Sequence, residues 1–353
     1  MSALILTLLL AAAPQVIQQD PARAGWEAIQ RGDGEKAAAS FRAVLAENPR
    51  DSRALAGAAI AAHLLGRDDE AISSLKRALG INPDDLYALS LLGPIAYSQG
   101  DIDLAIKSYE HIIKVAPGNP SIYRQLQAWK KEAELHSSFT ATPTARFTVM
   151  FEGPEQQAIA SRVSETLDSA YGRVGQAINS YPPQTVTAIL YTKEQFRDIT
   201  KSPSWAAGAY DGRIRIPVLG ALSNPAELDR IVTHEYTHAV VQQLYPGIPF
   251  WMNEGLATYM EPVDHSGLVA RLHASGYTIS LDKLTDAFRT SDGGDAILAY
   301  AQAYDTVKTI AGRLGATNFP VFLQYVSNGT PVEQALALFN VTLPSTPARQ
   351  RKH

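Results

Sequence analysis

The 353-residue chain contains no cysteine. That absence excludes disulfides, thiolate zinc sites, iron–sulfur ligation and cysteine nucleophiles. Any metal would have to be held by histidine and carboxylate. Positive charge is not in excess either: 31 Lys+Arg stand against 35 Asp+Glu, for a net charge of −4. There is no basic field to hold a phosphate backbone, so nucleic acid is not an expected partner. Long apolar runs are also missing. The one candidate, residues 3–13, is far shorter than the ~20 residues a membrane-spanning helix needs. It has the length of a signal-peptide core, with small residues at Ala11 and Ala13 before a cleavage point. Residues 1–16 are therefore read as a signal peptide and the protein as exported, periplasmic or secreted. If the run is instead a first helix packed in the core, the protein stays in the cytoplasm. What remains is 46% hydrophobic and 19% charged, the balance of a globular chain of about two domains.

A 34-residue period runs through the first third. Pro49, Pro83 and Pro117 share it, as do Gly32, Gly66 and Gly100, and Ala37, Ala71 and Ala105. Phe41, Leu75 and Tyr109 fall in the same register. Each unit reads as a pair of antiparallel helices, with Gly in the turn, Ala where the second helix approaches its neighbour, and Pro closing it. Three units fit, near residues 17–50, 51–84 and 85–119, followed by a capping helix over 122–136. The pattern resembles the tetratricopeptide repeat. The first unit departs from it, with Pro21 where a bulky aromatic residue is usual. Such stacks present concave surfaces that bind peptides or proteins. Two readings of this one stay open: it recruits a protein partner or substrate, or it docks on the second domain. The repeat histidines His63, His111 and His136 read as surface residues.

Residues 137–145 are small and polar and read as a linker. The period then changes to 2. Residues 145–151 and 184–191 alternate as strands, with an amphipathic helix over 154–180 between them. Residues 208–217 form a third extended stretch. Asp211-Gly212 suggests a hairpin turn there, and Pro217 an edge or terminal position. From Pro225 onward the reading is nearly all helix. The fold class is therefore α+β: an all-α repeat stack over residues 17–136, then a domain over 137–345 with a small sheet and a helical lobe, then a basic tail over 346–353.

Residues 228–244 include His234-Glu235-Tyr236-Thr237-His238. Positions i and i+4 share a helix face, so both imidazoles can point at one ion. Glu235 lies about 100° round the helix from His234, within reach of a water on that ion. A zinc ion polarises such a water and a neighbouring carboxylate deprotonates it, which is the chemistry of attack on a peptide carbonyl. A second helix over residues 249–261 carries Asn253-Glu254-Gly255. The turn at residues 245–249 would bring Glu254 back to the histidines. Two imidazoles and one carboxylate leave a fourth position open, the catalytic rather than the closed structural arrangement. Gly255 leaves room beside the site. Trp251 and Tyr259 read as core.

His234-Glu235-x-x-His238 followed by Asn253-Glu254-Gly255-Leu256-Ala257-Thr258-Tyr259 resembles the gluzincin metallopeptidases, and among them the peptidase-MA-like domain often found beside tetratricopeptide repeats. The resemblance spans about residues 146–343. It implies a thermolysin-like zinc peptidase fold with one zinc per chain, His234, His238 and Glu254 as metal ligands, and Glu235 as general base. It also implies that residues 208–217 are the sheet edge along which a peptide or protein substrate lies. Tyr300 maps onto the oxyanion donor of related aminopeptidases, at the start of a helix running to Leu314. Tyr304 is the alternative, and His265 and His273 are outer candidates. Thermolysin has an Asp four residues after its ligand Glu, hydrogen-bonded to a ligand His; here that position is Thr258, so the support of the histidines must differ. The Gly-x-Met-Glu-Asn motif of the aminopeptidases is absent, which favours an endopeptidase. Two other readings remain: a catalytically inactive repeat scaffold with a relic peptidase domain, and a zinc hydrolase acting on something other than peptides.

Overall fold

In the computed structural model, the described residues are 20–200, 208–218, 224–276, 278–290 and 293–343. The expected signal peptide, the first residues of repeat one and the basic tail lie outside them. Three antiparallel helix pairs open the chain: α1 (Pro21–Gln30) with α2 (Gly34–Glu47), α3 (Ser52–Leu64) with α4 (Asp68–Ile81), and α5 (Leu86–Ser98) with α6 (Ile102–Val115). A longer helix, α7 (Pro120–His136), caps them. The period has direct physical causes. Gly32, Gly66 and Gly100 turn each pair at φ of 72°, 69° and 84°, a region costly for residues with a Cβ. Asp33 and Asp101 cap the following helices through bonds from Lys36 N and Leu104 N, both 3.0 Å. Ala37, Ala71 and Ala105 are fully buried where helices touch.

The sheet comprises β1 (Phe139–Pro143), β2 (Phe147–Glu152), β3 (Val186–Tyr191), β4 (Ala209–Tyr210) and β5 (Ile214–Pro217). Its order is β1-β2-β3-β5-β4, with β2, β3 and β5 parallel and both outer strands antiparallel to their neighbours. The expected linker is thus partly a strand. Phe139 to Pro143 pair with β2 along its open edge, although four of the five are exposed. Such a strand is held by backbone bonds and leaves no hydrophobic alternation to read. The hairpin over Asp211-Gly212 is present, and Pro217 ends β5. Between the strands lie α8 (Gln157–Ile178) and α9 (Lys193–Thr200), the latter missed in the sequence. The helical lobe follows: α10 (Pro225–Leu244), α11 (Phe250–Met260), α12 (Ser266–Ser275), α13 (Leu281–Thr290), α14 (Gly293–Ser327) and α15 (Val332–Ala337). α14 breaks at Gly315, whose φ of 69° and ψ of 173° are not helical. It begins at Gly293, so Tyr300 lies about two turns inside the helix rather than at its start.

The two sheet faces bury different partners. Val149, Ala188, Leu190, Ile214 and Ile216 join one core with α8, α10 and α11. On the other face, Ile189 and Tyr191 pack with Phe196 of α9, with Leu135 of α7 beside them. The last repeat helix therefore covers part of the sheet of the second domain. In β5 the alternation Arg213-Ile214-Arg215-Ile216 sends the isoleucines into the first core and the arginines toward the repeats. Arg215 is 0% exposed. Its Nη1 lies 2.9 Å from Glu132 Oε1 of α7, and its Nη2 donates to Tyr97 Oη of α5 at 2.8 Å. Tyr97 Oη in turn donates to Glu132 Oε2 at 2.6 Å. Burial works against the Glu132 charge, but Arg215 and Arg213 outweigh it and hold its pKa below the ordinary carboxylate value.

His136, expected at the surface, is nearly buried in this interface. Burial lowers its pKa to about 4. The neutral ring thus accepts a bond from Tyr191 Oη at 2.7 Å through Nε2. His63 and His111 are partly exposed, each paired with an aspartate.

The two halves are accordingly interdependent. A fragment beginning at Ser137 would leave Arg215 without Glu132 and Tyr97, and Ile189 and Tyr191 without α7. Exposing a large apolar side chain to water costs about 1.5–3 kcal/mol, and Ile189, Tyr191 and Phe139 lose cover from α7. We expect the fragment to unfold at least ~10 °C below the full chain, or to aggregate, in thermal unfolding followed by circular dichroism. A fragment as stable as the full chain would show that the interface contributes nothing.

Candidate metal centre

α10 starts where Asn224 accepts a bond from Glu227 N at 3.2 Å and Pro225 occupies the first turn, a position that needs no N–H donor. Val232, Tyr236, Ala239 and Val240 fix its inward face in the core. His234, Glu235 and His238 follow from that orientation. The chain turns at Tyr245, where Ile248 N donates to Tyr245 O at 3.2 Å, and returns as α11. Glu254 is thereby brought against both histidines, and potential ligand atoms of His234, His238 and Glu254 all lie within 4.8 Å of one another. The predicted trio converges. Among the described residues no other group of three histidine or acidic side chains does so.

The orientation of the rings suits a metal ion. His234 Nδ1 is 2.7 Å from Glu261 Oε1, and His238 Nδ1 is 2.9 Å from Asn253 Oδ1. With each Nδ1 bonded outward, each Nε2 faces Glu254, at 3.6 Å from Glu254 Oε2 for His234 and 3.6 Å from Glu254 Oε1 for His238. Burial alone would lower the His234 pKa, but bonds to Glu254 and Glu261 carry it up to about 10. A cation bound here must displace that proton. Burial also opposes the charge of Glu254, whose pKa the histidines nevertheless hold below the ordinary value. His238 is lowered by burial and by its neighbour His234.

Glu235 is buried beside the trio, and burial pushes its pKa up to about 7. A carboxylate so poised can take a proton near neutrality. Its Oε1 approaches Gly208, where an added Cβ would come within 2.7 Å of that oxygen. The start of the β4–β5 hairpin thus runs directly past Glu235. Tyr300 hydrogen-bonds Glu254, and burial raises its pKa. Tyr304 instead packs its ring against His265, with centroids 4.9 Å apart. His273 lies at the surface, 3.4 Å from Asp305. Gly255 serves packing: a Cβ there would lie 2.6 Å from Ala303 O of α14. Trp251 is buried and Tyr259 partly so.

Two supporting residues escaped the sequence reading. Thr258, four residues after Glu254, donates to the Glu254 carbonyl at 2.9 Å and touches neither histidine. The carboxylate comes from Glu261, seven residues on, which two full helical turns return to the Glu254 face. Arg230 Nη1 lies 3.2 Å from Glu261 Oε1, and His265 Nε2 lies 3.1 Å from Glu261 Oε2. Burial disfavours its charge, but bonds from His234 and His265 hold its pKa at about 2. The i+7 spacing was the available signal. Asn253 was visible only as part of a motif, without its role toward His238.

Comparison with known families agrees with this layout. Residues 170–341 match the Peptidase MA superfamily, and residues 23–86 and 69–129 each match a tetratricopeptide repeat family. The chain thus carries a Peptidase MA superfamily domain behind tetratricopeptide repeats. A search of curated proteins finds no match.

Glu261 is bonded to His234 Nδ1, the ring nitrogen turned away from Glu254. Changing Glu261 to Ala should weaken divalent-metal affinity about 10–100-fold, measured by competition with a chromophoric chelator. The Glu261→Gln protein, which keeps an acceptor, should fall between the two. Equal affinity in all three proteins would remove Glu261 from the site.

Proposed function

We propose that the protein is a zinc-dependent peptidase acting on peptide or protein substrates, with an endopeptidase favoured. The observation that carries this reading is the convergence of His234, His238 and Glu254, with the buried Glu235 between them and the β4 edge. Two neutral imidazoles and one carboxylate suit zinc and leave it an open position. Zinc, when bound, would supply a positive centre that polarises a substrate carbonyl and acidifies water. Glu235 then accepts the proton of the attacking water and passes it to the leaving amine. Tyr300, beside Glu254, donates a hydrogen bond to the oxygen on which negative charge develops. Asn253 and Glu261 hold the imidazoles in the tautomer that offers Nε2. The side of β4 away from β5, which pairs with no strand among the described residues, offers backbone groups to an extended peptide. The tetratricopeptide repeats add a protein-contacting element.

The intact Glu235 favours this reading over a relic scaffold. In a folded Glu235→Gln protein, zinc should remain at one per chain while peptide turnover falls 10²-fold or more, because glutamine cannot take the proton. Zinc should be lost from the His234→Ala, His238→Ala double variant. Metal analysis with peptide-library turnover checks both. Stoichiometric zinc in the double variant would reject the site, and unchanged turnover in metal-loaded Glu235→Gln would reject the mechanism.

A further inference from the structure

The hairpin that passes Glu235 is poorly supported by its own sheet. β4 is two residues long and, among the described residues, pairs only with β5, Ala209 with Arg215 and Tyr210 with Ile214. An outer strand this short has few backbone bonds to hold it. Its anchorage comes from the repeat stack. Arg215 Nε donates to both carboxylate oxygens of Asp211 in the hairpin turn at 2.9 Å. The same guanidinium meets Glu132 and Tyr97, as described above. Arg213, one residue past the turn, lies over the Tyr97 ring at 4.5 Å and pairs with Glu132 Oε1 at 3.3 Å. At the tip, Gly212 sits so close to α5 that a Cβ would fall 2.0 Å from Ser98 O. Only three residues, Ala209 to Asp211, lie between this clamped tip and Gly208, which lies against Glu235.

We infer that Tyr97 and Glu132 of the repeat stack are positioning residues for the peptidase site. Acting through Arg215 and Asp211, they hold the β4–β5 hairpin at the distance from Glu235 at which an extended peptide can pair with β4. The repeats are thereby part of the substrate-binding structure, although none of their side chains touches the metal-ligand trio. The inference rests on the peptidase reading for its functional consequence, but the anchorage itself can be measured without it. A purely structural role would lower stability and leave substrate binding by the folded protein unchanged. A positioning role changes the geometry of the edge and hence the binding of peptide ahead of chemistry.

The full-length protein tests this with Tyr97→Phe and Glu132→Gln. Tyr97→Phe removes one hydroxyl and keeps the ring stacked on Trp129, with centroids 5.2 Å apart. It is the variant to rely on if Glu132→Gln does not fold. Glu110→Gln breaks the exposed Glu110–Lys130 pair between α6 and α7 and serves as a control. In Tyr97→Phe we expect zinc content to be unchanged. Amides of residues 208–217 should exchange with deuterium about tenfold faster, with those of α10 unaltered. For a peptide substrate KM should rise about tenfold and kcat change by less than about twofold. The control should match wild type in all three. Hairpin exchange and KM equal to wild type in a folded Tyr97→Phe protein would overturn the inference. Absence of peptide turnover in zinc-loaded wild type would instead count against the peptidase reading, and hairpin exchange alone would then decide whether the repeats hold the edge.

Discussion

The charge of Arg215 is the constraint on which the arrangement of the two halves depends. A guanidinium without solvent is tolerable only if its donors and its charge are all answered. Asp211 answers from the same hairpin, Tyr191 from the neighbouring strand, and Glu132 and Tyr97 from the repeats. The last two come from a different part of the chain. Separation of the halves would break these charge-assisted bonds and uncover the apolar face that the sheet shares with α7, so the repeats are fixed to the sheet. The apolar contribution of α7 on the second sheet face acts in the same direction.

That attachment matters because the sheet edge and the metal-ligand trio meet at one helix, with Gly208 against Glu235. α10 lies across β4 and β5 and carries His234, Glu235 and His238, while α11 returns Glu254. The histidines are held twice, by the helix beneath them and by bonds at Nδ1. Their Nε2 atoms therefore point inward before any ion arrives, which reduces the ordering that binding requires.

Much of this was legible in the residues. The 34-residue period fixed the helix pairs because a helical turn needs Gly and a close helix contact needs Ala at set positions. The i, i+4 histidines and the Asn-Glu-Gly stretch marked two helices whose faces could meet. The strands with strong alternation, near residues 145–151 and 184–191, were visible, whereas β1 was not, since an exposed strand paired at one edge has no burial pattern. The family resemblance places Tyr300 at a helix start, whereas the helix extends back to Gly293.

Sequence alone therefore determined the local units: the repeats, the histidine-bearing helix, the glutamate-bearing helix and the hairpin at Asp211-Gly212. Each is set by short-range periodicity and turn chemistry. Only the tertiary structure decided which carboxylate supports His234, and that Arg213, Arg215 and His136 are interior residues. In a strand written Arg-Ile-Arg-Ile, alternation separates two faces but does not say what covers each one. The arginine face reads as solvent until α5 and α7 close over it with Tyr97 and Glu132. Those residues lie more than eighty positions earlier in the chain, beyond the reach of any local pattern.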